Sequence, residues 1–375
     1  MRIQVTDELE QAIMVAAKLA PVRGPRPELQ LLTLTEGAGS LGSSLEASDG
    51  ELTLCYRYDA PPRSQGVARV PAHRVAAILK ATKHDAGEAT LEVEAGRCVV
   101  VTDDSRFELV AEQGDGYSVP RFDDESGETI GVELEMLTEL VALVAYAASR
   151  EVSRFTMEAI RLELADRKLE AIATDGRRLA IATAKVESDA KLTAQVRATS
   201  LAAATKILEA LAPREQVEIK TTSSRLMIRA GAVELSLLAI SGNFAPFRQV
   251  IPESTTHQIE FAREDLIASI KLASLCSSKE SLSICFGVGP DGVELSSQAA
   301  DIGEASVKLP ALSIEQQVRL GFNPAFLVEG LKACSCDSIL FGFSDSTSAA
   351  LITCAESIDG RPDLLYVLMP INLGA

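Results

Sequence analysis

A chain of 375 residues, 47% hydrophobic and 24% charged, has enough apolar area for two or three folded domains, and its composition is not that of a disordered protein. Its formal net charge of −17 argues against nucleic-acid binding by bulk charge, while leaving room for one basic surface. No apolar run approaches the roughly 18–20 residues of a membrane span, and the opening MRIQVTDELEQ lacks the basic-then-apolar order of a signal peptide, so a cytoplasmic protein is expected.

The first segment, 6–20, reads as a helix. Thr6 can cap it, Asp7 and Glu8 suit its positive end, and Leu9, Ile13, Ala16, Ala17 and Ala20 form a stripe at helical spacing. A Pro/Gly loop follows, then strand-like runs at 29–35 and 52–58. A second helix, 72–83, starts after Pro71 and carries Val75, Ile78 and Leu79 on one face. Strands at 90–95, 98–103 and 106–111 end the segment. The same order then recurs: a helix at 131–150 with Glu133 and Glu135 near its start, strands, a helix at 200–211, and strands at 217–221, 226–230 and 234–240. A third round has helices at 261–276 and 324–334 and strands at 338–343 and 349–355. Corresponding helices lie roughly 125 residues apart, which predicts three copies of one α+β unit. Each copy would pack two helices on antiparallel sheet, over 1–124, 128–252 and 256–375. The polar stretches FDDESGE and 253–256 serve as linkers.

Within the second copy, LEAIATDGRRLAIAT at 169–183 reads as strand, turn, strand. Ala171 and Ala173, then Leu179, Ile181 and Thr183, recur at period two, the spacing that turns one strand face to a core. Asp175-Gly176 is a turn pair, because glycine takes positive φ freely and the Asp side chain can bond the backbone ahead. Arg177 and Arg178 come next, beside Leu179, so cationic and apolar groups meet at one loop, as on a binding surface.

Other motifs carry less. GAGSLG at 37–42 matches a nucleotide-binding glycine loop by letter, but residues 43–50 are turn-rich and lead into a strand, without the required helix. Seven cysteines in apolar contexts are expected to be buried, reduced thiols. Cys334 and Cys336 resemble a metal pair. Three histidines, His73, His84 and His257, and no second cysteine pair leave no ligand set, so neither metal nor cofactor is expected. No nucleophile elbow, phosphate loop or paired-carboxylate constellation supports catalysis.

Four stretches in order, IATDGRRLA at 172–180, NFAPFRQVIP at 243–252, GFNPAFLVEGL at 321–331 and YVLMPINL at 366–373, resemble the bacterial DNA polymerase III β-subunit family, the sliding clamps. The resemblance spans the whole chain and its threefold repeat. It implies a homodimeric ring of three similar domains per subunit, with helices lining the hole and sheets forming the rim. Such a ring encircles duplex DNA without reading sequence and is loaded by an ATP-driven clamp loader. It tethers DNA polymerase and repair proteins through short peptide motifs and has no catalytic activity of its own.

The resemblance also places sites. One wall of a partner-binding cleft would be Met157, Thr174, Gly176, Arg177, Leu179 and Val250. The other would be Thr347, Ala349, Val367, Leu368, Met369, Pro370 and Ile371. An apolar chain terminus fits a site that a partner covers. Ala245 stands where the family commonly has proline, and Asn372 where it has arginine. The subunit seam would set Phe107 and Leu109 against Leu272, Leu275 and Cys276 of the second subunit, with intradomain packing as the alternative. Contacts to DNA would come from Lys18, Arg26, Arg74, Lys80, Arg150, Arg197, Lys206, Lys271 and Lys332. The predicted helices carry nine bases against ten acids, so they are near neutral while the remainder is strongly negative. Sliding needs phosphate contacts without base readout, which suits such a distribution. Ala198-Thr199 replaces a common basic pair, so a weak, salt-sensitive grip on DNA is expected. The alternative reading is a divergent clamp-fold scaffold that binds partners and encircles DNA poorly.

Overall fold

Thr6 opens the first helix as its residue type predicts: in the computed structural model its hydroxyl accepts from Leu9 N at 3.2 Å. The structure describes residues 1–37, 42–59, 66–82, 89–113, 120–124, 126–149, 155–277, 283–309, 314 and 317–373. Helix α1 (Asp7–Leu19) buries Leu9, Ala12, Ile13, Ala16 and Ala17, the predicted stripe, and packs beside α2 (Ala72–Ala81), which buries Val75 and Leu79. Replacing Thr6 by alanine is expected to cost about 1 kcal/mol of stability, read from urea unfolding, because an orphan helix N–H loses its acceptor.

The described chain divides into two compact units. The first comprises Met1–Leu134 and Ser200–Ala239 and contains two antiparallel sheets. The smaller is ordered Arg2–Gln4, Thr90–Glu94, Arg97–Val101, Arg106–Val110. The larger has nine strands: Thr129–Glu133, Gln216–Thr221, Arg225–Ala230, Val233–Leu238, Leu52–Tyr58, Ser43–Ser48, Leu31–Glu36, Gly66–Pro71 and Glu112–Gln113. Its central joint pairs Leu54 with Leu235 and Tyr56 with Val233, residues nearly half the chain apart in sequence.

The stretch expected to be a polar linker is partly fixed in this unit. Phe122 is 1% exposed; the Lys220 ammonium and the Arg229 guanidinium each lie 4.3 Å from its ring centre, and Lys220 Nζ donates to its carbonyl at 2.8 Å. Next to it Arg121 reaches the buried Glu46 and Cys55, and Arg57 reaches the buried Glu234. Burial pushes the Cys55 thiol up to about 12, so it stays protonated.

The second unit comprises Glu135–Thr199 and Ile240–Ala375. Its larger sheet has eight antiparallel strands, ordered Leu192–Arg197, Ala159–Ala165, Lys168–Thr174, Arg178–Lys185, Asp363–Leu368, Ala350–Cys354, Ser338–Phe343 and His257–Ala262. The predicted hairpin is its centre, and Arg178–Lys185 pairs with the last strand of the chain, Leu179 opposite Val367. A four-stranded sheet, Gly303–Leu309, Gly292–Ala299, Ile284–Gly289 and Val318–Phe322, completes it. Phe286, Phe322, Phe341 and Phe343 form the aromatic core here, with Phe286 stacked 5.4 Å from Phe341. Helices α5 (Arg263–Ala273) and α6 (Pro324–Ala333) are neighbours, and the Asn323 side chain caps α6. Helices α3 (Leu134–Val144) and α4 (Ala198–Leu211) bring the described α-helices to six.

Several expectations are corrected. The helix expected from 131 starts at Leu134, because Thr129–Glu133 pairs as an edge strand with Gln216–Thr221, so Glu133 lies in a strand. Phe261 likewise lies in the strand His257–Ala262, before α5. Residues 43–48, expected to be turn-rich, form a fully buried strand, and Gly66–Pro71 is a strand that the sequence pattern did not predict. On the hairpin, Ile172 shares the core face of Leu179 and Ile181, and Ala171 and Ala173 are buried on the opposite face. The cysteines are not all reduced: Cys336 and Cys354 are bonded, with Cα atoms 5.8 Å apart, and Cys276 is only partly buried. The bond pins the exit of α6 to the neighbouring strand. Its reduction is expected to cost about 3 kcal/mol, seen as a lower urea midpoint in dithiothreitol that Cys336→Ser reproduces.

Candidate functional site

The site grows from one turn in the second unit. Thr174 Oγ1 donates to Arg178 O at 2.6 Å and accepts from Gly176 N at 3.1 Å. Asp175 Oδ1 accepts from Arg177 N at 2.9 Å and Arg178 N at 3.0 Å, the side-chain-to-backbone closure its type favours. Gly176 sits at φ +84°, with the Met157 thioether beside it. The two arginines then part. Arg177 is exposed, whereas Arg178 is only 8% exposed and turns inward. Its Nε donates to Asp175 Oδ2 at 3.0 Å, its Nη2 to Tyr146 O at 2.6 Å, and its Nη1 to Glu329 of α6. The guanidinium lies 4.3 Å from the Phe326 ring centre and 5.4 Å from that of Tyr146. Burial opposes its charge, but the Glu329 and Asp175 carboxylates hold its pKa above the ordinary arginine value. Burial pushes the Tyr146 phenol well above its usual range. Arg178 is therefore a buried strut and Arg177 a rim cation.

Beside the turn lies a cavity of about 180 Å³ whose walls include Thr174, Gly176, Leu179, Val250, Val367 and Met369. Its floor is the apolar cluster of Ala159, Ile172, Leu179, Ile181, Phe244, Phe247, Ala349 and Val367. Pro246, Phe247 and Gln249, from the predicted 243–252 motif, supply walls that no sequence argument assigned. A second cavity of about 580 Å³ is lined by Thr347, Pro370 and Ile371, joined by Gln317, Arg319, Ser346, Asn372 and Leu373. Segment 369–373 runs past both. Met369 N donates to Arg177 O at 2.9 Å and Ile371 N to Gly321 O at 2.7 Å. Gly321 has no room for a side chain, since a Cβ there would strike Ile371 O. Of the predicted cleft residues, Met157, Arg177, Ala349 and Leu368 line neither cavity: Met157 packs beside Gly176, Ala349 belongs to the cluster beneath, and Leu368 is buried between Arg178 and Ala350. At the second cavity's edge, Asp345 accepts four hydrogen bonds from Thr347 and Ser348, which hold its carboxyl well below the usual range.

The other predicted residues fall elsewhere. Lys18 of α1 and Lys80 of α2 are exposed and share a broad groove with His73, whose Nε2 is 2.8 Å from Ala20 O. Arg74, Lys206, Lys271 and Lys332 are exposed, Arg197 is half-buried, and Arg26 pairs with Glu28 at 3.1 Å. Arg150, and with it Lys83 and residues 38–41 of the glycine loop, lies outside the described residues. Phe107 is 37% exposed and Leu109 half-buried on the edge strand Arg106–Val110, where Val110 is 80% exposed. Leu272 and Leu275, at the end of α5 and just beyond it, are 55% and 71% exposed, and Cys276 is half-buried.

Residues 131–246 match the family model for the DNA polymerase III beta subunit, central domain, and residues 248–372 match that for its C-terminal domain. The chain belongs to the DNA polymerase III β-subunit family. Curated relatives agree along almost the whole length of the chain. A protein named "Beta sliding clamp" from Chlamydia pneumoniae is 26% identical over 98% of this chain and 97% of its own. One of the same name from Vibrio cholerae is 23% identical over 88% of each. The β-subunit crystal structure from Thermotoga maritima superimposes with a TM-score of 0.89 at 24% identity, covering both chains in full. A Pseudomonas aeruginosa sliding clamp solved with griselimycin gives 0.88 at 21% identity, covering 100% of this chain and 99% of its own. The β-subunit fold, α+β with antiparallel sheets and, among the described residues, six α-helices, is thus the fold of this chain.

Proposed function

We propose that the protein is a DNA sliding clamp, a processivity factor of the replication machinery and not an enzyme. Family membership across nearly two thirds of the sequence, with relatives of that name matching almost end to end, carries this reading. Duplex DNA and DNA polymerase are its partners in that role. The three repeats act as domains over 1–124, 128–252 and 256–375, and two subunits close a ring.

Two exposed edges fit a seam between subunits. The strand Arg106–Val110 offers Phe107 and Val110 at one, and Gly303–Leu309 is an edge strand in the unit that also bears Leu272 and Leu275. The two cavities around segment 367–373 form the peptide cleft for polymerase and clamp-loader subunits. Lys18, Arg74 and Lys80 on α1 and α2 contact phosphate, a contact that needs charge and no base readout.

The test is topological. Light scattering should give the mass of two subunits, and protein loaded on circular duplex DNA should stay through gel filtration but leave once the circle is cut. Arg74→Glu with Lys80→Glu is expected to shorten retention several-fold at 50 mM salt and less at 200 mM. A monomer, or equal retention on linear and circular DNA, would refute the clamp reading. Full-length relatives with the sliding-clamp name favour this reading over a DNA-indifferent scaffold.

A further inference from the structure

The arginines of the second unit are distributed unevenly in a way that bears on its ligand. Arg161, Arg167, Arg178, Arg248, Arg263 and Arg361 each pair with a carboxylate. Arg177 and Arg319 pair with none among the described residues, and both are exposed. Both also sit on the cleft. Arg177 carries the carbonyl that receives Met369 N, at the rim of the smaller cavity, and Arg319 lines the larger one. Arg319 is held in place by donating Nε to Cys285 Sγ at 3.5 Å, which leaves its two Nη groups for another acceptor. The chain holds 53 acidic residues, yet among the described residues no carboxylate lines either cavity. Asp175 and Asp345, which flank the two cavities, are already committed, one to Arg178 and the backbone, the other to four donors of its own turn.

We propose that the cleft selects partner peptides that carry a carboxylate beside their apolar anchors, with Arg319 as the residue that reads it. The inference rests on the cleft reading above and adds the chemical class of the ligand. An apolar side chain fills the smaller cavity over Phe247 and Val367. The peptide backbone then follows segment 369–373, and an Asp or Glu side chain reaches the guanidinium of Arg319 in the roomier, wetter cavity. Arg177 supplies a second positive charge at the opposite end. A planar guanidinium with two free donors suits a carboxylate in bidentate geometry, which a lysine would not reproduce. In a protein of net charge −17, two cations without counter-charges also oppose the repulsion an acidic peptide would otherwise meet.

The experiment uses fluorescein-labelled ten-residue peptides with adjacent Leu and Phe anchors, differing only in Glu, Gln or Lys at each remaining position, titrated with the full-length protein. At one position the Glu peptide should bind about fivefold more tightly than its Gln counterpart, as expected for a partly exposed ion pair. That advantage should vanish in Arg319→Gln, persist in part in Arg319→Lys, and shrink in 0.5 M salt; in Arg319→Glu the Lys peptide should gain instead. Equal binding of Glu and Gln peptides at every position would overturn the charge reading and leave the cleft standing. A Glu advantage that survives Arg319→Gln and disappears in Arg177→Gln would overturn the assignment to Arg319. Failure of every peptide to bind would overturn the cleft reading itself, and this inference with it.

Discussion

Arg178→Ala is expected to lower the stability of the second unit by about 3–5 kcal/mol, the range for breaking a buried ion pair by removing one partner. The magnitude reflects what the guanidinium holds. It joins three elements: the turn through Asp175, α6 through Glu329, and the segment after α3 through the Tyr146 carbonyl. Glu329 is 45% exposed and can rehydrate, but Asp175 is only 16% exposed and would lose its charged partner. The rings of Phe326 and Tyr146 would face a void between them. Arg178→Lys keeps the charge without the fork and should recover less than half of the loss. Urea unfolding followed by circular dichroism measures both. A loss below 1 kcal/mol would mean that the strut is dispensable.

Deleting residues 369–375 is expected to weaken binding of apolar-anchored peptides by about 100-fold or more, with little change in the unfolding midpoint. The last sheet strand ends at Leu368, so its pairing with Arg178–Lys185 survives the cut. The cut removes Met369 from the smaller cavity and Pro370, Ile371, Asn372 and Leu373 from the larger one. The deletion also uncovers Gly321, whose carbonyl loses the Ile371 N–H. Polarisation titrations of intact and truncated protein with one labelled peptide read the effect directly. Unchanged affinity would place the peptide site elsewhere on the molecule.

What the residues disclosed in advance was local. The cap at Thr6, the stripe of α1, the Asp175-Gly176 turn and the strands Leu52–Tyr58 and Ser338–Phe343 all arise from neighbours a few positions apart. What they concealed depends on distant partners. Ser43–Ser48 contains no β-branched residue and has a glutamate at its middle; it is a strand because Leu31–Glu36 and Leu52–Tyr58 pair on either side of it, and Arg121, 75 residues on, meets the buried charge of Glu46. Phe122 has the neighbours of a linker residue, and only the cations of Lys220 and Arg229 make its burial intelligible. Cys336 and Cys354 meet because the strands Ser338–Phe343 and Ala350–Cys354 pair, which spacing alone does not specify. For the proposed cleft, the family motifs marked the turn, Val250 and the terminal segment, while Pro246, Phe247 and Gln249 emerge only from the fold. Arg319 had no such signal: it is one exposed residue on a short strand whose place beside Ile371 comes from the bridge between Gly321 and the chain end.

The joint between Leu52–Tyr58 and Val233–Leu238 has a practical corollary for anyone dissecting this molecule. The repeats suggest a gene that could be cut into thirds, yet a fragment ending at 124 would leave the backbone of Thr53, Cys55 and Arg57 without hydrogen-bonding mates. Such a ragged border recruits copies of itself, so that piece should precipitate or form ribbons when expressed alone. Protease nicking after the exposed Asp124 should likewise fail to separate the two fragments, which would still co-migrate until denaturant is added.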